Sequence, residues 1–146
     1  MIKVVADSSV LVKWLNQQGE LNLDQADKLL LDVQEGRVEL IAPELAKYEV
    51  GNALLKKGLV EVQAFQSLGT VYSLPIQFVS ETEELAGETY QMAYKVRLKE
   101  NPPKFTYYDA SFSALAKQEG ATLVTANPKH HTKIVGVKVL PLEKYT

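Results

Sequence analysis

The 146-residue sequence predicts a three-layer α/β/α sandwich built on a mainly parallel sheet of four to five strands. Two observations predict it. Short apolar or β-branched runs at residues 2–6, 39–42, 76–79 and 122–125 have the length and composition of buried strands. Longer stretches with apolar residues at helical spacing separate them, and strands alternating with helices fold as a parallel sheet covered on both faces. With 46% apolar and 23% charged residues, a chain of this length buries on the order of 70% of its unfolded surface, which excludes bulk disorder. A single domain spanning residues 1–146 is expected.

The elements follow in order. Residues 2–6 form the first strand and end at Asp7. From Ser8, the apolar residues Val10, Leu11, Trp14 and Leu15 recur at helical spacing until Gln17, Gln18 and Gly19. Asn22, with Gln25 three residues later, makes a capping pattern for a second helix whose stripe is Ala26, Leu29, Leu30 and Val33, stopped by Gly36. Residues 39–42 are the second strand, and Pro43 suits the first turn of a third helix running to Lys57 and Gly58. A fourth helix covers residues 61–73, and Pro75 precedes a third strand at 76–79. Ser80 with Glu83 makes another capping pattern, opening a helix that reaches about Lys99. After Pro102 and Pro103, Thr106 opens a helix through Lys117, ended by Gly120; the fourth strand, 122–125, runs into Asn127 and Pro128. Residues 137–140 suit an edge strand. No internal repeat or low-complexity tract interrupts this order.

Sixteen Lys and Arg against eighteen Asp and Glu leave a net charge of −2, so no global positive field marks a nucleic-acid binder and any basic footprint is local. The absence of Cys excludes disulfides, thiolate metal sites and cysteine nucleophiles. The apolar run before Asp7 is too short for a signal peptide, and no stretch approaches the ~18 residues of a membrane span; a cytoplasmic protein with no membrane partner is expected.

In an open parallel sheet, ligands bind beyond the carboxyl ends of the strands. Asp7 follows the first strand directly, and Asn127 lies two residues beyond Thr125 at the end of the fourth. Glu49 is about 7.5 Å along the third helix from its start, at ~1.5 Å per residue, within the inward arc of Leu45, Ala46, Val50, Ala53 and Leu54. Asp109 is in the first turn of the helix opened by Thr106, on the face of Phe112, Ser113 and Ala116. A right-handed crossover brings that helix start to the same edge, so Asp7, Glu49 and Asp109 converge. Each acid also has a structural reading: Asp7 and Asp109 as helix caps, Glu49 as a partner of Lys56. Clustered carboxylates repel one another unless a cation neutralises them, and oxygen donors suit Mg²⁺ or Mn²⁺.

The pieces Val4-Val-Ala-Asp-Ser-Ser9, Tyr48-Glu-Val-Gly-Asn-Ala-Leu54, Tyr107-Tyr-Asp-Ala-Ser-Phe112 and Leu123-Val-Thr-Ala-Asn127, in this order and spacing, resemble the PIN-domain nucleases, in particular the VapC-type toxin ribonucleases. The resemblance implies a metal-dependent endoribonuclease, the toxin of a toxin-antitoxin pair. It assigns Asp7, Glu49 and Asp109 to the metal-binding acids and Thr125 to the hydroxyl residue beside them. Asn127 stands where the family usually has Asp, and a neutral amide supplies less charge for a second ion. The implied partners are an RNA substrate, an antitoxin protein and a second copy of the chain. Asn127 also leaves room for a catalytically weak or inactive PIN domain that binds RNA or protein. A phosphorylated Asp7 fares worse, because Ser9 stands where a second acid is needed.

Lys95, Arg97, Lys99 and Lys104, and the run Lys129-His-His-Thr-Lys133, flank the Asp109 and Asn127 loops, either as RNA-phosphate contacts or as ordinary solvated charges. His130 and His131 lack further ligands at zinc spacing and read as loop residues. Trp14, Tyr48, Tyr72, Tyr90 and Tyr94 read as core or interface residues rather than base-stacking ones.

Overall fold

The computed structural model describes residues 1–131 and 134–146. The order is β1 (Ile2–Ala6), α1 (Ser8–Leu15), α2 (Leu23–Gln34), β2 (Val38–Pro43), α3 (Leu45–Lys56), α4 (Glu61–Val71), β3 (Gln77–Val79), α5 (Glu83–Arg97), α6 (Tyr107–Glu119), β4 (Thr122–Thr125), α7 (Pro128–His131) and β5 (Val139–Pro141), closed by a 3₁₀ turn over Leu142–Lys144. The five strands form one all-parallel sheet in the order β3-β2-β1-β4-β5. This is the α/β/α architecture expected from the alternation of strands and helices. α6 lies across β1, β2 and β4 with α5 packed on it, while α1 touches β1 and β4 and gathers α2, α3 and α4.

The topology positions the site. From β1 the chain steps outward to β2 and β3, then returns to place β4 on the other side of β1. The connections leaving β1 and β4 therefore diverge, and the crevice at their carboxyl ends is where an open parallel sheet binds ligands. Val5 pairs with Leu123 and Ala6 with Val124, which sets Asp7 level with Thr125.

Four local expectations are corrected. Asn22 does not cap α2: it adopts the left-handed conformation at φ 57°, which Asn tolerates better than most residues, and its side chain makes no cap hydrogen bond. Pro43 ends β2 rather than opening α3. Glu44 N–H donates to Val79 O at 3.0 Å, so Pro43 turns its nitrogen toward β1, where the ladder has already ended at Ile41, and its missing N–H costs nothing. Thr82, not Ser80, caps α5, accepting from Leu85 N–H at 3.1 Å. The segment after Asn127 is not a plain loop but the short helix α7, with Pro128 in its first position.

The core is formed by Val4, Val5, Leu11, Leu29, Leu40, Ile41, Leu54, Leu115 and Leu123, all nearly inaccessible to solvent. Trp14 packs against this core and donates to Ala26 O at 2.9 Å. Tyr48, Tyr72, Tyr90 and Tyr94 are not core residues: all four are exposed. The carboxyl-terminal segment is held by Tyr145, whose hydroxyl donates to Asp32 Oδ2 at 2.7 Å, while Lys28 and Arg37 pair with Oδ1 of the same carboxylate. Among the described residues, no helix is long and apolar enough to cross a membrane.

Candidate active site

A cleft of about 130 Å³ opens at the β1/β4 switch point, bordered by Asp7, Ser8, Ser9, Glu49, Asp109, Phe112, Asn127, His130 and His131. The three acids and the amide expected to converge do border one space. They reach it from four connections: Asp7 from the end of β1, Glu49 from α3, Asp109 from the first turn of α6, and Asn127 from the turn after β4.

Asp7 is 5% exposed, and both of its oxygens are occupied. Oδ1 accepts from Ser9 N–H at 3.1 Å and from the Ser9 hydroxyl. Oδ2 accepts from the Thr125 hydroxyl and lies 3.2 Å from His131 Nε2. These partners are themselves tied to the β4 turn: Ala126 N–H donates to Ser9 Oγ at 3.0 Å and Asn127 N–H to Thr125 Oγ1 at 2.9 Å. A carboxylate offers about four lone-pair directions, so Asp7 is saturated by its own protein. The capping role considered for Asp7 is real, and it coexists with the cleft position because α1 begins at that edge.

Asp109 likewise does two things. Its Oδ2 accepts from Thr106 N–H at 3.0 Å while Thr106 Oγ1 accepts from Asp109 N–H at 3.0 Å, a reciprocal capping box that fixes the carboxylate at the mouth of the cleft. Glu49 is half-buried, accepts from Ser8 Oγ at 3.2 Å, and does not pair with Lys56. Burial is the main cause that lifts its carboxyl above the ordinary range, with the charges of Asp109 and Asp7 adding to the effect; the Ser8 hydrogen bond and His131 oppose it. Thr125 is fully buried behind Asp7, and Asn127 is exposed at the rim.

The donor set is one that a hard divalent cation favours: carboxylate and amide oxygens facing a polar cleft, with one carboxyl held up in part by its neighbours' charge. Among the described residues, however, no three acidic or histidine side chains stand together in a ready-made coordination group. The occupied oxygens of Asp7 give a physical reason, since an incoming ion has to replace one of its internal partners. The residues fit such an ion in chemistry and location.

Sequence reasoning missed His131. It reads as half of a loop pair, yet it is 3% exposed, with Nδ1 3.4 Å from Ser113 Oγ and its ring edge-on to Phe105. The Asn127-Pro128 pair was the available signal, because Pro in the first helical position predicts α7, and one helical turn carries residue 131 back toward β4. The roles of Ser8 and Ser9 as holders of Glu49 and Asp7 were also not foreseen. Of the basic run after Asn127, Lys129 and His130 are exposed, and Lys133 lies outside the described residues.

A search among curated proteins finds no match. Among solved structures the chain is similar to VapBC2 from Rickettsia felis bound to a DNA fragment from its promoter, with a TM-score of 0.70 and 15% identity over 96% of this chain and 98% of that one. DNA-bound VapBC from Salmonella typhimurium gives a TM-score of 0.70 and 14% identity over 97% and 99% of the two chains. The sarcin-ricin loop cleaving toxin VapC20 from Mycobacterium tuberculosis gives 0.59 and 14% over 84% and 87%. At these identities the likeness establishes the fold. The sequence model of the PIN domain matches residues 4–134, a span that contains Asp7, Glu49, Asp109, Thr125 and Asn127, and the chain belongs to the PIN domain family.

Proposed function

We propose that this protein is a Mg²⁺- or Mn²⁺-dependent endoribonuclease and the toxin of a toxin-antitoxin pair. The observation that carries the reading is the convergence of Asp7, Glu49, Asp109 and Asn127 on one cleft at the β1/β4 switch point. In this reading Asp7, Asp109 and Glu49 hold the divalent ion, and Asn127 adds a neutral oxygen. When bound, the ion supplies Lewis-acid stabilisation of the phosphoryl oxygens and an activated water.

The chain's own residues supply position. Ser9 and Thr125 hold Asp7 in one rotamer, Ser8 holds Glu49, and Thr106 holds Asp109, so the acids face the cleft before substrate arrives. The raised Glu49 carboxyl suits a group that orients water beside the ion. The cleft is small, so the scissile phosphate meets the acids at its mouth rather than in a deep pocket.

The partners follow the same reading. A similar solved structure from Klebsiella pneumoniae is a toxin-antitoxin complex, and this chain exposes Tyr48 and Leu55 on α3 and Val62 and Phe65 on α4, an apolar surface suited to an antitoxin or a second copy of the chain. The binding-module alternative draws on Asn127 and on the internally saturated Asp7.

The test is incubation of the full chain with structured and single-stranded RNAs in Mg²⁺, in Mn²⁺ and in EDTA. Cleavage that needs the metal and is restored by adding it back is expected. RNA that stays intact with either ion favours the binding module, and cleavage undiminished in EDTA contradicts the metal reading.

A further inference from the structure

A cavity of about 520 Å³ lies away from the carboxylates. It is lined by Gln91, Met92, Lys95 and Val96 of α5, Lys99 just beyond it, Lys117 of α6, and Ile134 and Val135. Val96 and Ile134 are buried and Met92 is half-buried, so the floor is apolar, while Lys95, Lys99 and Lys117 are exposed around it. None of the three lysines pairs with an acid among the described residues, although Lys3, Lys13, Lys28, Lys47 and Lys57 do. Lys95 sits in the last turn of α5, Lys99 lies two residues beyond its end, and Lys117 of α6 borders the same cavity, so three like charges share it and repel. An anion placed among them relieves that repulsion.

Two features narrow the ligand. Ammonium groups around an apolar floor suit a molecule that is anionic at one end and flat and apolar at the other, as a nucleotide is. Basic residues also border the carboxylate cleft. Glu100 follows Lys99 directly and borders a second cleft with Lys104, Lys129 and His130, and His130 also borders the carboxylate cleft. Glu100 is the acid of this second cleft, and its Oε1 accepts from the N–H groups of Lys104 and Phe105. Lys104, Lys129 and His130 thus form a local basic patch beside the carboxylate cleft, against a net charge of −2.

We propose that the α5/α6 cavity is a second RNA-binding site, which holds single-stranded RNA by its phosphates on Lys95, Lys99 and Lys117 and seats a base on Met92, Val96 and Ile134. It rests on the reading of this protein as a ribonuclease, whose substrate it would hold at a distance from the scissile bond. A nucleotide chain explains an apolar floor among lysines better than an acidic peptide does, because each of its units joins a phosphate to a flat base.

The experiment is fluorescence anisotropy with a labelled single-stranded RNA of about 15 nucleotides, the scale of known single-strand sites, in EDTA so that nothing is cut. Lys95→Gln, Lys99→Gln and Lys117→Gln are combined in one variant, with Lys56→Gln and Lys144→Gln combined as the control, and melting temperatures confirm both folds. The triple variant is expected to bind at least tenfold more weakly, with the slope of log K against log salt falling by about 2, at ~0.7 per phosphate on single strands. Binding within twofold of wild type overturns the proposal, as does a polyglutamate peptide that binds the cavity lysines more tightly than the RNA. Lysine-dependent binding by a protein that cuts no RNA supports this site and refutes the ribonuclease reading. Metal-dependent cleavage with binding unchanged in the triple variant does the reverse.

Discussion

His131 Nε2 lies 3.2 Å from Asp7 Oδ2, with both side chains almost wholly removed from solvent. This pair joins α7 to the end of β1, and with Ser9 and Thr125 it leaves the Asp7 carboxylate without a free acceptor site. The first consequence concerns stability. His131→Phe removes a partner from both Asp7 and Ser113 and should cost about 1–3 kcal/mol, the usual penalty for buried polar groups left short of a partner. Urea denaturation measures it; no change would mean that the ring acts only as packing against Phe105.

Asp109 separates its two roles by substitution. Asp109→Asn keeps an oxygen for the Thr106 N–H, so the capping box survives and the melting temperature should move by only a few degrees, ~1 kcal/mol or less, while RNA cleavage is lost. Asp109→Ala should lose cleavage and a further ~1 kcal/mol of stability through the cap. A cleavage assay beside thermal melts checks both, and retained activity in Asp109→Asn would remove this acid from the site.

Asn127→Asp places another carboxylate at the rim of a cleft that already holds three. The variant should bind Mn²⁺ more tightly and melt at a lower temperature than wild type until the metal is added, because the extra charge repels its neighbours in the metal-free protein. Paired melts with and without Mn²⁺ read both effects. Equal melting temperatures in both conditions would place Asn127 too far from the acids to matter.

The carboxyl terminus carries the pH dependence. Lys28 first, then Tyr145 and Arg37, hold the Asp32 carboxyl well below the usual carboxylate range. Its contribution to stability is present above the unfolded value of about 4 and is lost as pH falls below that. Burial and the Asp32 hydrogen bond push the Tyr145 phenol up, so its contribution is present below about pH 10 and is lost as pH rises past it. Tyr145→Phe should lower the melting temperature at neutral pH and flatten its fall on both the acid and alkaline sides. Unchanged pH profiles would show that the terminus is not held by this pair.

Much of the site was legible before the structure because Asp7, Asp109 and Asn127 each sit next to a strand end or helix start, and the topology of parallel sheets brings those to one edge. Glu49 was legible as an acid inside an apolar arc. What was hidden depended on relations between distant segments. His131 meets Asp7 only through the one-turn helix α7, and Thr125, set beside the acids by the resemblance alone, meets it through the β1/β4 register. The cavity lysines gather only once α5 packs on α6. The sequence left open whether the tyrosines lie in the core or at an interface, because an amphipathic stripe does not say whether its outer flank is covered; Tyr90 and Tyr94 are exposed and stack on each other.

The central claim is that the acids at the β1/β4 crevice gather around a divalent cation by exchanging internal hydrogen bonds for metal ligation. Calorimetric titration of Mn²⁺ into the full chain, beside Asp7→Asn and Asp109→Asn, tests it without recourse to activity. Wild type is expected to bind saturably and each variant at least tenfold more weakly, a loss of about 1.4 kcal/mol or more. Absence of binding to wild type, or equal affinity in all three proteins, would contradict it.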